Sequence, residues 1–343
     1  MKRFFLLTLA SAALLGASAA PVKTYEVKSP DGRLALVLTA GERLSFTVAR
    51  DGETLVAPSE MALTLSTGEV LGESPRVRSA RRRAVTETID APLYRQSRFD
   101  AAYNELDLRL RGDYGILARA YDDGVCYRFY TERDGELTIV DETAQLNFEG
   151  DPSAYIPYSK TEIPMRTSFE NTYEYAPLSK FRTQTVAFMP VLVDLGERGY
   201  VLYTESDVEA YPGVYLTYDK EAKGFAARFA ECPTETSLTK RFQDVVERSA
   251  DYIARVDGRR SYPWRIVAYA ATATELPVND MVWQTAEASR VADASWVRDG
   301  KIAWDWWNNW GVYGVDFKSG INTETYKYFI DFAAANGIEI SFT

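Results

Sequence analysis

The chain has 343 residues, 46% of them hydrophobic and 26% charged, enough for two ordinary domains or one large one with an attachment. Its 39 basic residues against 49 acidic ones leave a net charge of −10, which excludes the basic face of a nucleic-acid binder and does not suit an anionic membrane surface. There is no histidine and there are only two cysteines, so Ser-His-Asp and Cys-His nucleophiles, HExxH zinc sites and cysteine-rich zinc sites are excluded. Any chemistry must run on carboxylates, Lys, Tyr, Ser or Arg, or on a hard metal held by oxygen.

Residues 1–19 read as a secretory signal peptide. Lys2 and Arg3 precede an apolar run from Phe4 to Leu15, and Gly16-Ala17-Ser18-Ala19 ends in a small-residue cleavage pattern. About 12 apolar residues fall short of the roughly 20 that a membrane span needs. No Cys follows the run to take a lipid, and no later stretch is long and apolar enough to span. The expected product is exported and free of membrane spans. Without Lys2 and Arg3 it carries 37 basic against 49 acidic residues, or −12. Export permits Cys126 and Cys232 to pair, with the buried free thiol as the default.

From Thr24 to Tyr269 the pattern is dense in short strands. Tyr25–Lys28, the turn Ser29-Pro30-Asp31-Gly32 and Leu34–Leu38 open the series, and Leu44–Val48 leads into the hairpin signal Arg50-Asp51-Gly52-Glu53. Similar segments follow at Leu106–Leu110, Val125–Tyr130 after Asp122-Asp123-Gly124, and Leu137–Val140 after Asp134-Gly135. Val186–Val193, Tyr200–Tyr203 and Val214–Tyr218 continue it. Many strands with frequent turns and little helix predict a large antiparallel β-sandwich. Five arginines in Arg76–Arg83 read as a solvated face. Residues 150–182 break the rhythm with Pro152, Pro157, Pro164 and Pro177 and with tyrosines at 155, 158, 173 and 175. This predicts a long loop that packs on something.

After Pro277 the pattern changes. Asn279–Val291 reads as helix and Ile302–Trp307 as a buried strand. Asn322 caps a helix whose Tyr326, Phe329, Ile330, Ala333 and Ala334 share a stripe, and Gly337 stops it. Ile338–Phe342 then begins another strand. Strand, helix and strand make a βαβ unit, whose parallel strands need further strands and helices to cover both faces. The expectation is therefore the front part of a longer protein, with a two-strand appendage as the alternative. The expected segments are a signal peptide over 1–19, a β-sandwich over 20–270, a linker over 271–283, and the incomplete start of a second domain over 284–343.

Gly300-Lys301-Ile302-Ala303-Trp304-Asp305-Trp306-Trp307-Asn308 continues through Gly314–Lys318 and Thr325–Ala333. Together with Ala120–Phe129 and Phe169-Glu170-Asn171-x-Tyr173, it resembles glycoside hydrolase family 97. The resemblance covers essentially all of 22–340, and Trp-Asp-Trp-Trp is rare by chance. It implies an exo-acting α-glucosidase or α-galactosidase of the Bacteroidetes type, periplasmic and calcium-dependent, acting on α-linked oligosaccharides. The fold it implies is a sandwich followed by the start of a (β/α)8 barrel. In that family the catalytic acid and the base or nucleophile lie on later barrel strands. They are thus expected beyond Thr343, none is carried over, and the chain alone is expected to give no turnover.

The resemblance makes Glu170 a calcium ligand, since Ca²⁺ takes six to eight oxygens and can recruit them from separate segments. Glu162 and Glu174 are weaker alternatives. Trp304, Asp305, Trp306 and Asn308 end the expected barrel strand, where side chains line active sites. A carboxylate there can accept sugar hydroxyls and an indole can face a pyranose ring, with Asp316 and Lys318 weaker candidates on the next loop. A non-catalytic carbohydrate-binding sandwich and a non-functional gene fragment are the rival readings. Inverting or retaining chemistry, sugar preference and oligomeric state are not legible.

Overall fold

A computed structural model describes residues 22–92, 94–160, 169–238, 244–298 and 300–342. The expected signal peptide, Glu162 and Ser168 lie outside the described residues. The chain divides into two compact units, one holding the chain up to Asp90 with Arg98–Glu287, the other Ala91–Ser97 with Ala288–Thr343. Among the described residues no helix is long and apolar enough to cross a membrane.

The first unit is the expected antiparallel β-sandwich. In Leu34–Ala40 the side chains of Leu34, Leu36, Leu38 and Ala40 are buried while those between them are half-exposed, the period-two pattern of a strand with one face on a core. One layer runs from Lys23–Lys28 through Leu34–Ala40 and Leu44–Arg50 to the first half of Glu53–Leu65. It continues by way of Leu146–Asn147 to Gly224–Phe229 and Val214–Asp219. The other pairs Val77–Asp90, Arg98–Leu110, Tyr114–Tyr121 and the start of Gly124–Ala144, then Trp264–Ala270, Tyr200–Ser206, Val191–Asp194, Ser153–Ile156 and Glu174–Pro177. The layers meet over one apolar core, where Phe46 of the first packs on Tyr127 of the second with ring centroids 4.9 Å apart. The hairpin at Asp51-Gly52 forms as expected: both residues have positive φ, 51° and 87°, the backbone of a type I′ turn.

Four expectations need correction. Asp134-Gly135 is not a turn between strands, because Gly124–Ala144 runs on as one strand of 21 residues. The register against Ala254–Ser261 jumps from Arg259↔Glu132 to Asp257↔Glu136, so the pair forms a bulge with Gly135 at φ 76°. Beyond the bulge the strand finishes against Met61–Leu65, the second half of Glu53–Leu65. The stretch 150–182 is not all loop: Ser153–Ile156 and Glu174–Pro177 pair in register. The strand expected at Val186–Val193 is only Val191–Asp194, with Pro190 before it unable to donate a ladder hydrogen bond. Asn279–Val291 is helical only over Met281–Thr285. There Thr285 Oγ1 turns back to the Met281 carbonyl at 2.7 Å, and the Glu287 N–H donates to Asp207 Oδ1 at 2.9 Å in place of a helical partner.

That short helix closes a second, smaller cluster on the outer face of the sheet, formed by Tyr103, Tyr121, Cys126, Trp264, Ile266, Ala268 and Met281. The Trp264 ring carries two guanidinium groups, Arg119 at 4.7 Å and Arg128 at 4.3 Å. Glu105 takes Arg83 at 2.6 Å and Arg119 at 2.9 Å. Burial alone would raise its pKa, yet these two cations hold the carboxyl below the usual range. The arginine run is thus an ordinary strand, Val77–Asp90, with Arg82 and Arg83 bonded to Glu26 O and Glu105. Cys126 and Cys232 are both free, and burial pushes the Cys126 thiol up to about 12.

Asp123, in the Asp122-Asp123-Gly124 turn, accepts from Asn279 Nδ2 at 3.2 Å, and burial raises its carboxyl to about 6, with Asp280 and Asp122 adding to the shift. The folded chain therefore holds this proton more tightly than the unfolded chain, so its contribution to stability is present below about pH 4 and fades as pH rises through about 6. Asp123→Asn is expected to melt close to wild type near pH 4 and above it beyond pH 6.5. The gap is at most about 3 kcal/mol, from 1.36 kcal/mol per pKa unit. Parallel melting curves across that range check it.

Candidate binding site at the end of the parallel strand

In the second unit, Ile302–Trp304 pairs in parallel with Ile340–Phe342 in the register Ile302↔Ile340, Ala303↔Ser341 and Trp304↔Phe342. The helix Thr323–Ala335 connects them, giving the βαβ unit expected from the sequence. Asn322 Oδ1 accepts from the Thr325 N–H at 2.9 Å as the expected cap, and Gly337 turns out of the helix at φ 63°. The buried stripe is narrower than expected. Thr325 and Ala333 are buried, Tyr326 and Phe329 half-buried, and Ile330 is 47% exposed. The expected buried strand over Ile302–Trp307 is also corrected. Only three residues are strand, and Ile302 and Trp304 are exposed on either side of buried Ala303, because one parallel neighbour cannot cover both faces.

The candidate residues sit where such strands place functional groups, at and just after the C-terminal end. Asp305–Asn308 forms a single 3-10 turn, closed by Asn309 N–H to the Trp306 carbonyl and Trp310 N–H to the Asp305 carbonyl, both 3.0 Å. Asn309 and Trp310 both adopt left-handed backbone, φ 55° and 54°, which folds the chain back so that the Trp306 and Trp310 rings meet edge to face at 4.5 Å. The Asn308 side-chain amide donates to the Gly311 carbonyl and ties down the same turn.

Asp305 is only 6% exposed, and its carboxylate has no hydrogen-bond partner among the described residues. Around this buried acceptor the indoles are open: Trp304 is 46% exposed, Trp306 54% and Trp307 84%. The structure thus brings Trp304, Asp305, Trp306 and Asn308 together on one strand end, while Asp316 and Lys318 lie further on in the same unit. Trp310 was missed by reading residues singly, although its spacing of four from Trp306 was a legible signal.

Glu170 belongs to the first unit. It is exposed, and its backbone carbonyl accepts from Lys160 Nζ. Glu174 is engaged by Arg182 at 2.6 Å. Among the described residues no group of three or more Asp, Glu or Cys side chains is gathered to hold a metal ion. Glu170 can offer calcium a carboxylate, but these residues do not assemble the six to eight oxygens of a complete site.

The model of the glycosyl-hydrolase 97 N-terminal region matches residues 27–287. The chain belongs to glycoside hydrolase family 97. The retaining alpha-galactosidase of Bacteroides thetaiotaomicron is 39% identical over 325 residues, covering 92% of this chain and 49% of that protein. A probable retaining alpha-galactosidase of Streptomyces bingchenggensis is 28% identical, covering 90% of this chain and 43% of its own length. This family 97 chain therefore spans about half the length of the curated relatives it matches. A solved family 97 enzyme from Pseudoalteromonas sp. strain K8, in complex with acarbose, superposes with a TM-score of 0.75 at 19% identity, over 92% of this chain and 46% of that one. A crystal structure of a beta-arabinopyranosidase gives 0.71 at 20% identity, over 92% of this chain and 50% of that one. These likenesses support the sandwich fold.

Proposed function

We propose that this family 97 chain serves an exported, periplasmic glycosidase that removes α-linked galactose from the non-reducing ends of oligosaccharides with retention of configuration. The observation that carries the reading is the Asp305 side chain at the end of a parallel strand, 6% exposed with no side-chain hydrogen-bond partner among the described residues, next in sequence to the open indoles of Trp304 and Trp306. A carboxylate set low in the surface with no protein donor is open to donors from a ligand. Sugar hydroxyls are such donors, and the C–H face of galactose suits an indole. The identity to two retaining α-galactosidases favours galactose over glucose.

In this reading Asp305 binds and orients the sugar. Retention requires two further carboxyl groups about 5–5.5 Å apart, one to protonate the leaving oxygen and one to attack the anomeric carbon. Those belong to later strands of the family's architecture. Calcium is proposed with Glu170 as one donor of a shared set, and when bound it would supply positive charge beside the glycosidic oxygen.

The test is hydrolysis of 4-nitrophenyl α-galactoside by the complete gene product, with the anomer of the released sugar followed by NMR. Asp305→Ala is expected to lower kcat/KM by roughly 10- to 100-fold, the worth of about 1.5–3 kcal/mol for hydrogen bonds to a charged group. Wild-type kcat/KM in that variant, or no cleavage of any α-galactoside, would overturn the proposal.

A further inference from the structure

We propose a second carbohydrate contact on this chain, a tyrosine platform formed by Tyr155 and Tyr175 on the outer face of the sandwich, which takes galactose-bearing oligosaccharides. The two are direct cross-strand partners in the antiparallel pair Ser153–Ile156 and Glu174–Pro177. Their ring centroids lie 4.6 Å apart at 41°, and the side chains are 39% and 54% exposed. Glu174–Pro177 has no further neighbour among the described strands, so the platform stands on a sheet edge that a ligand can reach.

The rings are held rather than loose. The Tyr175 hydroxyl donates to Asp194 Oδ2 at 2.9 Å, and Asp194 is itself fixed by accepting the Gly196 N–H on Oδ1 at 2.9 Å. Tyr173, just before the strand and 42% exposed, donates to the Pro190 carbonyl at 3.3 Å and meets Phe169 edge to face at 5.6 Å. Tyr155, Tyr173 and Tyr175 are thus three exposed aromatic rings on one strand pair and the residue leading into it.

The chemistry around the rings selects the occupant. A protein surface docking here would favour a patch with charges excluded from its centre. Tyr155 has half-buried Leu192 beside it in register, and the next row sets Ser153 opposite Asp194, so the rings carry one aliphatic neighbour and a hydroxyl and a carboxylate at their border. An open aromatic face beside a hydroxyl and a carboxylate matches a pyranose, which has one C–H face and a rim of hydroxyl donors. Galactose presents a continuous C–H face at C3, C4 and C5. The choice of galactose rests on the reading of the proposed function, whereas the platform itself does not.

The experiment is affinity electrophoresis of the full chain in native gels containing galactomannan, with galactose-free mannan gels as the control. Wild type is expected to be retarded by galactomannan. Tyr155→Ala and Tyr175→Ala should each weaken retention at least tenfold in apparent Kd, and Tyr155→Phe should retain it, because the ring face is what stacks. Both alanine variants should melt within about 2 °C of wild type, since exposed substitutions cost little. Migration of wild type unaffected by galactomannan, or equal retardation of the double alanine variant, would overturn the platform. So would a change of oligomeric state in the variants by size exclusion with no change in retention. Hydrolysis of 4-nitrophenyl α-galactoside is scored separately, so retention lost in the variants supports the platform even if the activity proposal fails.

Discussion

Arg265→Leu is expected to lower the melting temperature by roughly 10 °C. Arg265 is completely buried near the start of Trp264–Ala270. Its Nε and Nη2 make a two-pronged bond to Glu142 at 2.8 and 2.7 Å, and Nη1 reaches Glu205 at 2.5 Å. Glu205 also accepts the Val214 N–H at 3.0 Å, so the group joins four strands. Removing the cation leaves Glu142, only 4% exposed, as a buried charge with no counterion. Breaking one side of such a pair costs about 3–5 kcal/mol, and a unit of this size loses roughly 2–4 °C per kcal/mol. Replacing Arg265, Glu142 and Glu205 together by apolar residues of similar volume should cost much less, because no charge is left stranded. Calorimetry of the single and triple variants decides it; a single variant within 2 °C of wild type would show that water or a proton compensates Glu142.

Gly124→Ala is expected to loosen the segment that leads out of the sandwich. A Cβ at Gly124 would lie 2.0 Å from the Met281 sulfur and 2.8 Å from both the Ala268 Cα and the Val267 carbonyl oxygen. The sulfur can move aside, but the backbone atoms belong to the paired strand and cannot shift without breaking the ladder Gly124↔Ala268. The methyl therefore pushes Met281 from its seat among Tyr103, Tyr121, Trp264, Ile266 and Ala268. Overpacking of this kind costs about 1–3 kcal/mol. Proteolytic cleavage within 279–301 should rise severalfold, alongside a fall in melting temperature. Met281→Ala in the same chain should restore part of the loss, because it frees the space the methyl needs, and a double-mutant cycle reads the coupling. Additive losses in the double variant would contradict the packing argument.

The strands were legible because their cause is local. Leu34, Leu36 and Leu38 alternate with half-exposed neighbours, and Asp51-Gly52 supplies the positive φ values of a tight turn, so period and turn chemistry suffice. The same local signal misled at Asp134-Gly135. That dipeptide suits a turn and a bulge equally, and only the strand Ala254–Ser261 running across it decides for the bulge. Asn279–Val291 had helical spacing, yet Asp207, just past the distant strand Tyr200–Ser206, takes the Glu287 N–H, and the helix ends at Thr285.

By itself, the sequence determined the chemistry open to the protein and the family it belongs to. The absence of histidine, the alternating strands and the Trp304-Asp305-Trp306-Trp307 run are properties of residue type and spacing. Tertiary structure alone decided which of these groups lack partners. Asp305 is a largely buried residue whose carboxylate has no donor among the described residues, Glu170 an exposed one with no other ligands gathered around it among them, and Arg265 a charge whose two counterions lie 123 and 60 residues away. Burial and pairing are sums over neighbours distant in sequence, and those neighbours are brought together only when the strands are laid in register.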